Sequence, residues 1–323
     1  MPLTLELCNN KQEWDGFVRS SPQGNPFCAT YFLEALGEQH DLLFVKKYGD
    51  IQLGALVLKH EGQPCLAPYP FTMYQGILLN KASMDMPYHK RSKWALELID
   101  FLLSEMEKRY SLISFCLHYG IDDIRSFQWF HYHEPQHGQF NIDLCYTGLL
   151  DISTIADFES YLMNIRKVRR YEYRQAKREE FVVKESKDLD MLIKLHDLTF
   201  ERQGIKRDDR KRQLVKNIGE AVLSKNTGKL LTCIDKNGEV ASASLFLHDN
   251  RCGYYLFGAN NEKYLKTGSG TYLLLEHIRL CKDMGLKKVD FVGINSPNRG
   301  DFKTSFNARP VPYFVVTWER HNR

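Results

Sequence analysis

The chain has 323 residues, 43% of them hydrophobic and 12% aromatic, with a formal net charge of +4. That length is large for one core and comfortable for two, and the composition is that of well-filled interiors. No apolar run is long enough to span a bilayer, and the charge by itself selects no partner.

Met1-Pro-Leu-Thr-Leu-Glu6 has neither a basic leader nor an apolar core, which argues against secretion and for the cytoplasm. Eight cysteines, at 8, 28, 65, 116, 145, 233, 252 and 281, contain no Cys-x-x-Cys pair and sit mostly in apolar stretches. They read as reduced, small hydrophobes and not as a disulfide or zinc framework.

The first strong element in chain order is a hairpin, and it returns later in the sequence. With Gly49 set over Gly238, an offset of 189 (238 − 49), Leu42 falls on Leu231, Lys47 on Lys236 and Ile51 on Val240. The run Leu56-Val57-Leu58 falls on Leu245-Phe246-Leu247 without a gap. Each copy predicts strand, turn, strand. Tyr74-Gln-Gly76 and Leu256-Phe-Gly258 each predict a strand that reaches a glycine. Apolar stripes then predict helices, through Trp94, Leu98, Ile99, Leu102 and Leu103 in the first half and Leu273, Leu274, His277, Ile278 and Cys281 in the second. Short strands follow at Leu112–Cys116 and from Val289. The order strand, strand, strand, helix, strand occurs twice, and a duplication explains it better than chance.

Between the copies, His131-Tyr-His133-Glu134-Pro-Gln-His137 suggests a strand and turn. His131 and His133 share a strand face, yet no third ligand follows, so no metal is expected. The join is expected near residue 150. Ser153-Thr-Ile-Ala-Asp157 then caps a helix carrying Phe158, Tyr161, Leu162, Ile165 and Val168. On it, Arg166 and Arg170 stand one turn apart within a basic run from 166 to 178, and a second basic run spans 202–212. Such runs face solvent about as often as they face RNA or a phosphate ligand.

Two clusters carry candidate chemistry. Lys266-Thr-Gly268-Ser269-Gly270-Thr271 lies between a strand and an apolar helix. Glycines there allow close backbone approach, and the helix start offers N–H groups and a positive dipole to a phosphate. Past the last strand of the repeat come Asn295, Asn298, Arg299, Phe302, Lys303 and Phe306. Lys303 between two phenylalanines is placed to be partly dry, where an ammonium balances a phosphate or stabilises an oxyanion. Gly-x-Ser-x-Gly is missing, the lysine of Gly300-Asp-Phe-Lys303-Thr lacks a true phosphate loop, and no third glycine completes a dinucleotide fingerprint.

Gly258-Ala-Asn, Gly268-Ser-Gly270, Cys281-Lys-Asp-Met-Gly285, Asp290-Phe-Val-Gly293 and Phe302-Lys303-Thr-Ser-Phe306 together resemble the FemABX-like branch of the GNAT acyltransferase superfamily. Asn25-Pro-Phe27, Tyr74-Gln-Gly76 and Gln128-Trp-Phe130 agree more loosely. The resemblance implies an α+β fold of tandem GNAT-like domains, 1–150 and 151–323, with mixed twisted sheets flanked by helices and donor chemistry in the second. It implies transfer of an aminoacyl or acyl group to an acceptor amine, directly and without a covalent enzyme intermediate. The donor would be aminoacyl-tRNA, or acyl-CoA as in close relatives, with no tightly bound cofactor. The acceptor would be an amine-bearing small molecule or cell-wall precursor.

In these terms Lys303 is the catalytic candidate, while Lys266, Gly268, Ser269, Gly270 and Thr271 hold the donor. Arg166, Arg170, Asn295, Asn298, Arg299, Phe302 and Phe306 are expected to line the substrate. Asn307 stands where glycine commonly follows the second phenylalanine. Leu265 stands where the usual GNAT pattern has Gln or Arg, and the basic runs are denser than a small donor needs, so the tRNA-dependent reading is preferred. A duplicated fold that only binds is the competing expectation from another class.

Overall fold

A computed structural model describes residues 2–202, 204 and 208–320. The chain forms two compact units, one running to Cys145 and resuming at Pro312, the other Tyr146–Val311. The first contains β1 (Thr4–Leu7), α1 (Lys11–Ser20), α2 (Thr30–Leu36), β2 (Gln39–Lys47), β3 (Asp50–His60), β4 (Gln63–Pro64), β5 (Ile77–Leu79), α3 (Tyr88–Arg109), β6 (Leu112–Cys116) and α4 (Arg125–Trp129). After β7 (Asn141–Asp151), the second contains α5 (Phe158–Asn164), α6 (Lys167–Arg178), β8 (Val182–Ser186), α7 (Leu189–Glu201), α8 (Asp209–Ser224), β9 (Gly228–Ile234), β10 (Val240–His248), β11 (Cys252–Asn260), α9 (Ser269–Asp283), β12 (Lys288–Asp290) and α10 (Pro297–Thr304). A last strand, β13 (Arg309–Glu319), returns the chain to the first unit.

In the first unit β1, β2, β3 and β4 are neighbours in that order, and β5 also pairs with β3. The α3 stripe forms as its periodicity predicts: Leu98, Ile99, Leu102, Leu103 and Met106 are buried in one core with Leu43, Val45 and Ala55 of the hairpin. β6 pairs antiparallel with β13, which brings Val316 and Trp318 into the same core. Residues 312–319 therefore complete the first unit although they follow the second in sequence.

In the second unit the strands run β8-β9-β10-β11-β12-β7. All neighbours are antiparallel except β11 and β12, and α9 makes that parallel crossover. The predicted stripe Leu273, Leu274, His277, Ile278 and Cys281 is buried, joining the sheet to α9.

The two hairpins match in detail. Gly49 and Gly238 both take left-handed φ in their turns, at +86° and +83°. In β3, Gln52 is skipped between the pairs Lys46↔Ile51 and Val45↔Leu53. In β10, Ala241 is skipped between Ile234↔Val240 and Cys233↔Ser242. These bulged residues stand at the same offset as the glycines, while the facing strands differ in register by one residue.

Three sequence expectations change. The helix expected through Phe158, Tyr161, Leu162, Ile165 and Val168 is two helices, because Ile165 and Arg166 are extended, with ψ of 166° and 137°. Ile165 leaves helical geometry to enter the core, and the Arg166 N–H bonds Ser305 O instead of an earlier helical carbonyl. Tyr74, expected in a strand, has φ of +54° in an irregular segment before β5. His131 and His133 follow α4 in a turn, where His131 Nδ1 meets Gly138 O at 3.0 Å and Nε2 meets Glu107 at 3.0 Å. Among the described residues no helix is long and apolar enough to cross a membrane. All eight cysteines are free, and burial pushes the Cys28, Cys116, Cys233 and Cys281 thiols up to about 12.

Candidate active site

The loop after β12 is built around a buried carboxylate. Asp290 Oδ1 accepts from Thr147 Oγ1 at 2.5 Å and from the Val292 N–H at 2.8 Å. The Phe291 N–H reaches Gly148 O and the Ile294 N–H reaches Tyr146 O. Held at both ends, Val292 and Gly293 both take left-handed φ, +50° and +64°. A β-branched residue there is strained, and such strain persists only where its surroundings over-determine it. Lys303 Nζ donates to both of these carbonyls, at 2.6 Å from Val292 O and 2.9 Å from Gly293 O.

Lys303 lies in α10, which starts with Pro297, a residue that needs no N–H at that position. Burial pulls the lysine down to about 8, the charge of Arg299 pulls the same way, and Asp290 opposes both. Phe302, half-buried beside it, meets Phe306 edge to face at 5.1 Å. Phe306 itself is wholly buried, 6.1 Å from the Phe291 ring, and packs the core instead of lining substrate. Asn295 accepts the Tyr146 N–H at 2.7 Å and so fixes the loop; Asn298 and Arg299 are exposed in the first turn of α10.

The arginines of α6 are arranged differently from the helix face expected of them. Arg166, at the helix cap, makes a forked pair with Asp301 at 2.7 and 2.8 Å, and this bonding holds the Asp301 carboxyl below its usual range. Arg170 donates to Met163 O at 2.9 Å and closes the α5–α6 break. Arg169, not singled out in the sequence, lies over the Phe302 ring at 4.9 Å. Its Nη1 also reaches Glu172 at 2.6 Å and Thr271 at 3.1 Å. It thereby joins the lysine cluster to the glycine turn. The i,i+3 spacing of Arg169 and Glu172 was the available sequence signal.

At the turn, Gly268 caps α9 with φ of +79° and no side chain caps that helix. A Cβ on Gly268 would lie 2.3 Å from Glu172 O, and one on Gly270 would lie 2.6 Å from Asn260 Oδ1. Both glycines therefore have protein neighbours that demand them. The side chains of Ser269 and Thr271 are buried, Lys266 is exposed, and the Lys266 carbonyl accepts from Gln175 Nε2 at 3.3 Å.

Residues 161–304 match the family described as acetyltransferase (GNAT) domain. The whole chain is similar in fold to a crystal structure of FemX, at 14% identity over 98% of this chain and 97% of that one, with a TM-score of 0.72. It is similar also to L-PGS from Bacillus licheniformis, at 13% identity over 97% and 93%, with a TM-score of 0.53. A tandem GNAT protein from the clavulanic acid biosynthesis pathway aligns over 100% of both chains at 8% identity and a TM-score of 0.56. A sequence search of curated proteins finds no match.

Proposed function

We propose that this chain, whose residues 161–304 match a GNAT acetyltransferase domain and whose fold is similar to that of FemX, is an acyltransferase that moves an aminoacyl group from aminoacyl-tRNA to an acceptor amine. The second unit is assigned both donor binding and catalysis. The acceptor nitrogen attacks the ester carbonyl, forming the amide C–N bond and an oxyanion. Collapse breaks the bond to the ribose oxygen, which leaves as a hydroxyl with the proton given up by the amine. The donor is already activated, so the protein contributes position and charge.

The observation that carries this reading is Lys303. Two of its three N–H donors are committed to Val292 O and Gly293 O, which leaves one for the oxyanion. Its ammonium is fixed by a strained backbone and partly desolvated, the conditions in which a single donor has a large effect. A cell-wall precursor or other small amine is the acceptor class that the sequence resemblance implies. An acyl-CoA donor is the second reading, favoured by the match to an acetyltransferase family.

Purified protein incubated with each donor and an amine, with and without ribonuclease, separates the two. Lys303→Ala should lower turnover by on the order of a hundredfold; near-normal turnover removes the assignment. With a tRNA donor, ribonuclease abolishes product and log K falls linearly with log salt. Reversal of charge at Arg210 and Lys211 then weakens binding. Lys206 and Arg207, of the same run, lie outside the described residues.

A further inference from the structure

The turn read from sequence as a phosphate cradle already faces an anion. Glu172, on α6, receives the Thr271 hydroxyl on its Oε2 at 2.5 Å and Arg169 Nη1 on the same oxygen at 2.6 Å. Thr271 lies in the first turn of α9, three residues after the cap Gly268. The backbone of Glu172 also approaches, with its carbonyl 2.3 Å from where a Cβ on Gly268 would stand. No acidic residue belongs to the first turn of α9 itself. The negative charge that complements its dipole thus comes from a neighbouring helix.

Arg169, whose Nη1 reaches Thr271 at 3.1 Å, is committed as well. It is tied to Glu172 and Thr271 and lies over Phe302. A pyrophosphate entering the turn would meet a carboxylate held by Thr271 on one side and paired with Arg169 on the other.

We propose that Glu172 is a specificity-determining residue that bars pyrophosphate-bearing donors such as coenzyme A thioesters from the α9 turn. This rests on the transferase reading and deepens it, because it selects a donor whose acyl ester lies far from any pyrophosphate. Like charges brought together cost enough to change affinity by on the order of tenfold to a hundredfold. Removing the charge also releases Arg169, which then faces the incoming phosphate.

The test is calorimetric titration of the full chain with coenzyme A, with pantetheine as the uncharged control, for wild type, Glu172→Gln and Glu172→Ala. The expected result is a coenzyme A Kd at least about tenfold lower in Glu172→Gln than in wild type, steeply salt-dependent, with pantetheine unchanged. Glu172→Ala serves where the glutamine variant melts below wild type. Equal coenzyme A affinity in all three proteins overturns the proposal, as does a failure of every variant to bind. Neither result bears on Lys303, whose test is turnover with charged tRNA.

Discussion

Lys303 exchanges water for two carbonyls, and its acidity follows from that exchange. Burial lowers it from the usual lysine range to about 8. If its positive charge is what the reaction uses, kcat/KM falls as pH rises through about 8, while Lys303→Arg, which keeps its charge, flattens that limb. An unchanged alkaline limb in the arginine variant would remove the lysine from the rate profile. Stability has the opposite slope. Between about 8 and the ordinary lysine value the unfolded chain holds more protons than the folded one, so stability rises with pH across that window. The melting temperature of wild type relative to Lys303→Met is expected to climb there. Phe306 behaves as core: Phe306→Ala should cost about 3–5 kcal/mol by denaturant unfolding, and the half-buried Phe302→Ala clearly less. At this scale the sequence exposed Lys303 and its aromatic neighbours. It could not expose the left-handed Val292, whose backbone is set by Asp290, Thr147 and Tyr146 from other parts of the chain.

Helices and strands were read well where one face alone decides burial, as in α3, α9 and both hairpins. The reading failed between α5 and α6 because Ile165 serves the core equally well from an extended backbone. Periodicity marks which residues are buried, and the break is made by the Arg166 N–H turning to Ser305 O. Arg166 and Asp301 are both largely exposed, so a double-mutant cycle between them should give a coupling of about 0.2–1 kcal/mol. A value of several kcal/mol would mean the pair is a structural clasp. Gly268→Ala is expected to cost more, at least about 1–2 kcal/mol, from its left-handed φ alone. Contact with the α6 backbone adds to that cost. Thermal unfolding with no loss would show that α6 yields at that point.

The duplication was legible at the scale of the whole chain because turn glycines and apolar pairs survive at a constant offset. The return of residues 312–319 to the first unit was not legible. A β-strand pattern names no partner, and β13 meets β6 across roughly 200 intervening residues. Deleting 312–319 should therefore unfold the first unit and not the second, because Val316 and Trp318 leave its core. Limited proteolysis that spares the first unit in such a deletion would contradict this.

That closing strand also sets a clock on synthesis. Domains usually fold as they leave the ribosome, N-terminal first, at about 5–20 residues per second. Here every residue of the second unit emerges before the strand that completes the first. For roughly 200 residues of translation, tens of seconds at the slower rates, the nascent first unit waits with the β6 edge unpaired and open to chaperones or to a neighbouring chain. Its maturation follows the appearance of Trp318, and the later-made unit has the chance to fold first.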